Sequence, residues 1–81
     1  MNKPPRVLAI AGSDSSGGAG VQADIRTITM LGGYAMTAIT AVTAQNTVGV
    51  QAIEVPSPEI VLAQIDACID DSGVDAIKIG M

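Results

Sequence analysis

Between an apolar run at Arg6–Ala11 and a helical pattern that begins near Ala19, the chain carries Gly12-Ser-Asp-Ser-Ser-Gly-Gly-Ala-Gly20, a stretch with four glycines. Such a stretch continues neither element, so it imposes a strand–loop–helix order on the start of the fold. Glycine admits positive φ and removes the side chains that would block approach. The N–H groups opening the next helix point at whatever sits there. Gly12, Gly17, Gly18 and Gly20 therefore form a candidate binding loop. The bland alternative is a long turn, in which Ser13, Asp14, Ser15 and Ser16 are ordinary turn formers.

The familiar phosphate loops need more than glycine. Gly12 and Gly17 have Walker A spacing, but Gly18 and Ala19 stand where Lys and Ser or Thr are required. Gly18, Gly20 and Ala23 fit the dinucleotide pattern, yet no acid lies between Asp24 and Glu54 to hold a ribose. Arg6 opens the preceding strand, and Arg26 falls on the helix face away from Val21, Ile25 and Ile28. A neutral or weakly polar ligand is therefore expected.

The length of 81 residues is short for a domain, and Tyr34 is the only aromatic side chain. Folds this small bury only about 60 to 65% of their unfolded surface, so marginal stability is expected. The lone Cys68 cannot form a disulfide within the chain. With net charge −4 and four scattered basic residues, there is no patch for nucleic acid. The uncharged run from Thr27 to Ile53 is cut by Gly32-Gly33 and Gln45-Asn46 into pieces below the ~18 residues of a membrane span. One cysteine and no export signal point to the reducing cytoplasm.

Val7–Ala11 reads as a central parallel strand and Val21–Leu31 as a helix stopped by Gly32-Gly33. Tyr34–Val42 is a second strand, Gln45–Gly49 a loop, and Val50–Val55 a short strand. Ser57-Pro58-Glu59 is a helix start, with Ser at the N-cap and Pro at the first helical position. Val61, Ile65, Cys68 and Ile69 share one face of that helix, which Ser72-Gly73 ends. Ala76–Gly80 is a last strand. The order is that of a doubly wound α/β sheet, but two helices cannot cover it, so the expectation is the first segment of a larger α/β domain.

Asp24 falls between Ile28 and Leu31 on the wheel, on the side that should bury. It is either a ligand-facing acid or an edge-of-stripe carboxylate near the helix start. Gln45 and Asn46 follow a strand that ends at the sheet's carboxyl edge, where open α/β sheets bind ligands. Gln45 offers donor and acceptor together, suited to a heterocycle edge, or is simply a solvated amide. Met81 follows Gly80 at the same edge. Cys68 is expected to be plain core packing, and without histidine no metal site is expected.

Taken together, Ala9-Ile-Ala-Gly-Ser-Asp-Ser-Ser-Gly-Gly-Ala-Gly-Val-Gln-Ala-Asp24, Thr40-Ala-Val-Thr-Ala-Gln-Asn-Thr47, Gly49-Val50 and Asp75-Ala-Ile-Lys-Ile-Gly-Met81 closely resemble the amino-terminal part of the hydroxymethylpyrimidine and phosphomethylpyrimidine kinases of thiamine biosynthesis. The resemblance implies a ribokinase-like three-layer α/β sandwich with a mainly parallel sheet, of which residues 1–81 are the first segment of a single domain. It also implies a cytoplasmic enzyme, homodimeric at full length, that uses ATP and magnesium to phosphorylate 4-amino-5-hydroxymethyl-2-methylpyrimidine and then its monophosphate. Ala19, Asp24, Gln45 and Met81 would contact the pyrimidine. The catalytic residue and the ATP and magnesium site would follow Met81, leaving these residues inactive alone. Pyridoxal or pyridoxine kinases carry similar loops and remain an alternative. So do a non-catalytic small-molecule-binding module and a dinucleotide-binding fragment.

Overall fold

A computed structural model describes residues 3–80. In chain order the elements are β1 (Arg6–Asp14), α1 (Gly20–Met30), β2 (Tyr34–Asn46), β3 (Gly49–Glu54), α2 (Pro58–Asp71) and β4 (Ala76–Ile79). They form one four-stranded sheet in the order β3-β2-β1-β4. β1 is central and pairs in parallel with β2 and β4, whereas β3 is antiparallel to β2.

Register shows where the helices lie. Ala9 pairs with Lys78 and Leu8 with both Met36 and Ile77, and partners in a parallel ladder share a face. Lys78 reaches Asp24 on α1, while Met36 Sδ accepts a hydrogen bond from Ser72 Oγ at the end of α2. The two helices therefore cover opposite faces, which makes three layers. Under α1 the sheet presents Ala9 and Ala11, small enough for close approach, and Val21 is buried there. Leu8 and Ala38 are fully buried on the α2 side.

Helix α2 forms where its cap chemistry predicts. Ser57 Oγ accepts from Ile60 N at 3.3 Å, and Gly73, at φ +80°, donates from its N–H to the Cys68 carbonyl. Val61, Gln64, Ile65 and Cys68 are its less exposed residues, but Ile69 is exposed, so the expected four-residue apolar face is narrower than the sequence suggests. Gln64 has a particular task. β3 joins β2 only from Val42 onward, so Ile39, paired with Ala11 of β1 on one side, lacks a strand neighbour on the other. The Gln64 amide takes that place, accepting from Ile39 N at 2.8 Å and donating to Ile39 O at 3.0 Å.

Several expected boundaries are corrected. β1 continues through Ser13 and Asp14, which pair with Val42 and Thr43, and Asp14 also opens the turn that follows by accepting from Gly17 N. Gln45 and Asn46 are not in a loop. They end β2 and pair with Val50 and Gly49 in a hairpin closed by Thr47 and Val48. Asn46 Oδ1 accepts from Val48 N and shapes that turn. The third strand is thus Gly49–Glu54, and its antiparallel direction departs from a simple strand–helix alternation. The last strand ends at Ile79 rather than Gly80.

Coverage is thin, as two helices require. Ile77 and Ile79 on β4 are 54% and 74% exposed, and Ile53 on β3 is 63% exposed. β4 pairs with β1 along its whole length, and a side-chain clamp adds to this at its start. Asp75 Oδ2 accepts from Arg6 N (2.7 Å) and Nε (3.0 Å), Oδ1 accepts from Nη2 (2.9 Å), and a further Arg6 N–H meets the Ser72 carbonyl. These bonds hold the Asp75 carboxyl at about 2 against an ordinary 3.8, the Arg6 side chain contributing most. The folded value lies below the unfolded one, so the unfolded state takes up the proton first. The clamp's stabilisation is complete above about pH 5 and disappears as pH falls from about 4 toward 2. Urea unfolding from pH 5 to 2 is expected to show this slope, and Asp75→Asn is expected to flatten it.

Candidate functional site

The loop between β1 and α1 is built around one carboxylate. Asp14, only 5% exposed, accepts from Ser16 N (2.9 Å) and Ser16 Oγ (2.7 Å) with Oδ1, and from Ala19 N (2.9 Å) with Oδ2. The hydroxyl and N–H of Ser16, then the N–H groups of Ala19 and Gly18, hold this carboxyl below its usual range. Gln22 of α1 closes the loop from the other side, its amide accepting from Asp14 N and donating to Ser13 Oγ. Asp14 therefore fixes the N-cap residue Ala19 from the strand by taking its N–H, while no side chain caps the first-turn N–H groups of α1.

That arrangement decides what the loop can hold. In a phosphate loop the N–H groups face outward to an anion. Here the N–H donors of Ser16 and Ala19 are taken by the chain's own carboxylate, which also repels a polyphosphate. The sequence places Arg26 on the face away from the apolar stripe, with no positive charge near the loop. The structure corrects the second half of this, because Arg26 Nη1 lies 3.9 Å from where a Cβ of Gly17 would stand.

Glycine is required at Gly20, where φ is +61° and an added Cβ would lie 2.4 Å from the Gly12 carbonyl oxygen. Gly12 itself sits where the β1–β2 register shifts, between Ala11 and Ser13. Gly17 takes φ +83°, and Gly18 lies against Asp14.

The carboxyl edge of β2 is joined to this loop by a single hydroxyl. Ser15 Oγ accepts from Gln45 N at 2.7 Å and donates to Gln45 O at 2.9 Å. Thr43 Oγ1 contacts both the Ser13 carbonyl (2.8 Å) and Gln45 Oε1 (3.1 Å). The one Thr43 hydroxyl proton goes to the nearer Ser13 carbonyl, so Thr43 Oγ1 touches the Gln45 amide, and no other described residue bonds that amide. An amide placed in this way keeps both donor and acceptor for a ligand.

Of the expected contact residues, Ala19 and Gln45 are each tied to the glycine loop, Ala19 through Asp14 and Gln45 through Ser15. Asp24 stands further along α1 and is held by β4. Its Oδ1 accepts from Lys78 Nζ at 2.9 Å, with the Asp24 side chain 15% and the Lys78 side chain 51% exposed. Met81 lies outside the described residues. Asp14 and Ser15 were legible only as turn formers, although Asp-x-Ser at a strand end is the signature of a side-chain-capped turn. Lys78 has a weaker signal, a lone cation in the apolar strand Ala-Ile-Lys-Ile. Elsewhere, an open cleft of about 370 Å³ between α2 and β4 is lined by Ile69, Val74, Asp75, Ala76 and Ile77. Its one acidic group is already engaged by Arg6.

Comparison with known proteins agrees with this geometry. The chain is 61% identical over 79 residues to hydroxymethylpyrimidine/phosphomethylpyrimidine kinase of Mycobacterium tuberculosis, covering 96% of this chain and 28% of that protein. The phosphomethylpyrimidine kinase structure from Clostridium difficile superposes with a TM-score of 0.91 at 53% identity, over 95% of this chain and 33% of that one. Pyridoxal kinase of Staphylococcus aureus, in complex with AMP-PCP and pyridoxal, gives 0.88 at 36% identity, over 99% of this chain and 30% of that one. The chain thus spans under a third of the curated relative's length. Residues 14–81 match the family model described as phosphomethylpyrimidine kinase. With the loop, the strand edge and these matches in agreement, the chain belongs to the phosphomethylpyrimidine kinase family.

Proposed function

We propose that this chain is the acceptor-binding segment of an ATP-dependent kinase acting on 4-amino-5-hydroxymethyl-2-methylpyrimidine and on its monophosphate. The observation that carries this is the Asp14 carboxylate seated on the loop's own N–H donors. A glycine loop closed in that way does not cradle a triphosphate and suits a neutral ring. Gln45, with its amide in contact only with Thr43 Oγ1, orients the ring edge, and Asp24 accepts a hydrogen bond from it. Ala19, opening α1 without a bulky side chain, leaves room beside the loop. Met81 is the fourth contact in this reading.

Among the described residues no group of three or more His, Cys, Asp or Glu side chains stands together. Both magnesium and ATP are assigned to residues following Met81, as is the residue that activates the hydroxyl. Phosphoryl transfer depends on metal, positioned nucleophile and charge-stabilising donors, so the segment alone is expected to be inactive. The remaining part of a single ribokinase-like domain would cover the exposed apolar face of β4. A cytoplasmic homodimer completes the proposal. No described helix is long and apolar enough to cross a membrane.

The likeness to pyridoxal kinase supports a second reading, with pyridoxal as acceptor. Grafting residues 1–81 in place of the matching segment of the Clostridium difficile phosphomethylpyrimidine kinase, and separately of the Staphylococcus aureus pyridoxal kinase, distinguishes them. Product analysis is expected to show pyrimidine mono- and diphosphate formation with the first graft. Pyridoxal phosphate from the second graft, with no pyrimidine phosphates from the first, would favour pyridoxal.

A further inference from the structure

We infer that Lys78 is a positioning residue of the acceptor site, holding the Asp24 carboxylate so that its second oxygen accepts a hydrogen bond from an uncharged donor on the ligand. This rests on the proposed acceptor role of the segment.

Lys78 interrupts a four-residue strand that is otherwise apolar, and its register with Ala9 places it on the face covered by α1. Its ammonium does not stay level with its own Cα. A Cβ built on Gly80 would stand 3.3 Å from Lys78 Nζ and 2.9 Å from the Ala11 Cβ. The ammonium therefore lies toward the carboxyl end of β4, over backbone that only glycine leaves open. That is the sheet edge from which the glycine loop departs. There it donates to Asp24 Oδ1 at 2.9 Å, across 54 residues of sequence.

A pair that merely fastens α1 to β4 would engage both carboxylate oxygens or leave the second in water. Asp24 does neither. Its Oδ2 is sealed from solvent and accepts no hydrogen bond among the described residues. A buried polar atom without a partner is costly and uncommon, and a ligand donor is one way to satisfy it. Since Lys78 already balances the charge, the donor that fits is neutral, such as a ring amino or hydroxyl group. A cationic ligand would compete with Lys78 for the same carboxylate.

The test uses the grafted phosphomethylpyrimidine kinase. Lys78→Met is expected to raise KM for the pyrimidine about tenfold, with kcat and KM for ATP within about twofold of the parent. Lys78→Arg is expected to restore most of the loss. If Lys78 acts through Asp24, Lys78→Met in an Asp24→Ala background adds no further change, which a double-mutant cycle measures. Lys78→Gln supplies the same comparison where the Met variant does not fold. An unchanged pyrimidine KM, an equal rise for ATP, or a full effect persisting in the Asp24→Ala background would overturn the inference. A parent graft that phosphorylates no pyrimidine would instead contradict the proposed function.

Discussion

Gly20→Ala is expected to destabilise the fold by about 2 to 4 kcal/mol, more than any other single methyl added to the loop. Two costs coincide there. The backbone is left-handed at φ +61°, and the new Cβ would lie 2.4 Å from the Gly12 carbonyl oxygen and 3.1 Å from Asp14 N. Both neighbours are backbone atoms of β1, which is held there by the parallel pairing of Ser13 and Asp14 with β2. The loop must therefore move, which breaks the bridge between Ser13 and Gly20 and draws Ala19 N away from Asp14. Gly17→Ala is the control. It shares the positive φ, at +83°, but its nearest contact is 3.9 Å away at the end of the Arg26 side chain. The strained backbone alone leaves a cost of about 1 kcal/mol there. Urea unfolding of the two variants separates sterics from backbone strain, and equal losses would contradict the tight approach at Gly20.

The contrast between α2 and the strand ends shows what sequence alone makes legible. α2 was readable because its signals are local, with Ser57, Pro58 and Glu59 at one end and Gly73 at the other. Hydrophobic patterning found the sheet's strands but not their ends. Ser13, Asp14, Gln45 and Asn46 are polar yet remain paired, because a ladder uses backbone groups that side-chain pattern does not report. The hairpin was missed for the same reason, and Thr47-Val48 is not one of the glycine-bearing pairs that mark a two-residue turn. The glycine loop was legible as a site because its composition excludes regular structure, whereas Asp14 at its centre looked like one turn former among several. Asp24 was visible as an acid on a burying face. Its partner Lys78 was not, since nothing in a single sequence links positions 54 apart. A loop without an accessible cation was also expected, and Arg26 corrects it through a long side chain that reaches back to Gly17.

The central claim is that residues 1–81 supply part of the acceptor site of a kinase and none of its nucleotide site. Gln45→Ala addresses it most directly, because the Gln45 backbone is held by Ser15 while its amide, in contact only with Thr43 Oγ1, is left to a ligand. Removing that amide from a buried pairing costs about 1 to 3 kcal/mol, or roughly 5- to 150-fold in affinity. Calorimetric titration of the grafted phosphomethylpyrimidine kinase, with and without Gln45→Ala, is the measurement. A loss of that size for hydroxymethylpyrimidine with unchanged binding of a non-hydrolysable ATP analogue is the predicted result; an equal loss for both ligands, or none for the pyrimidine, would contradict the account.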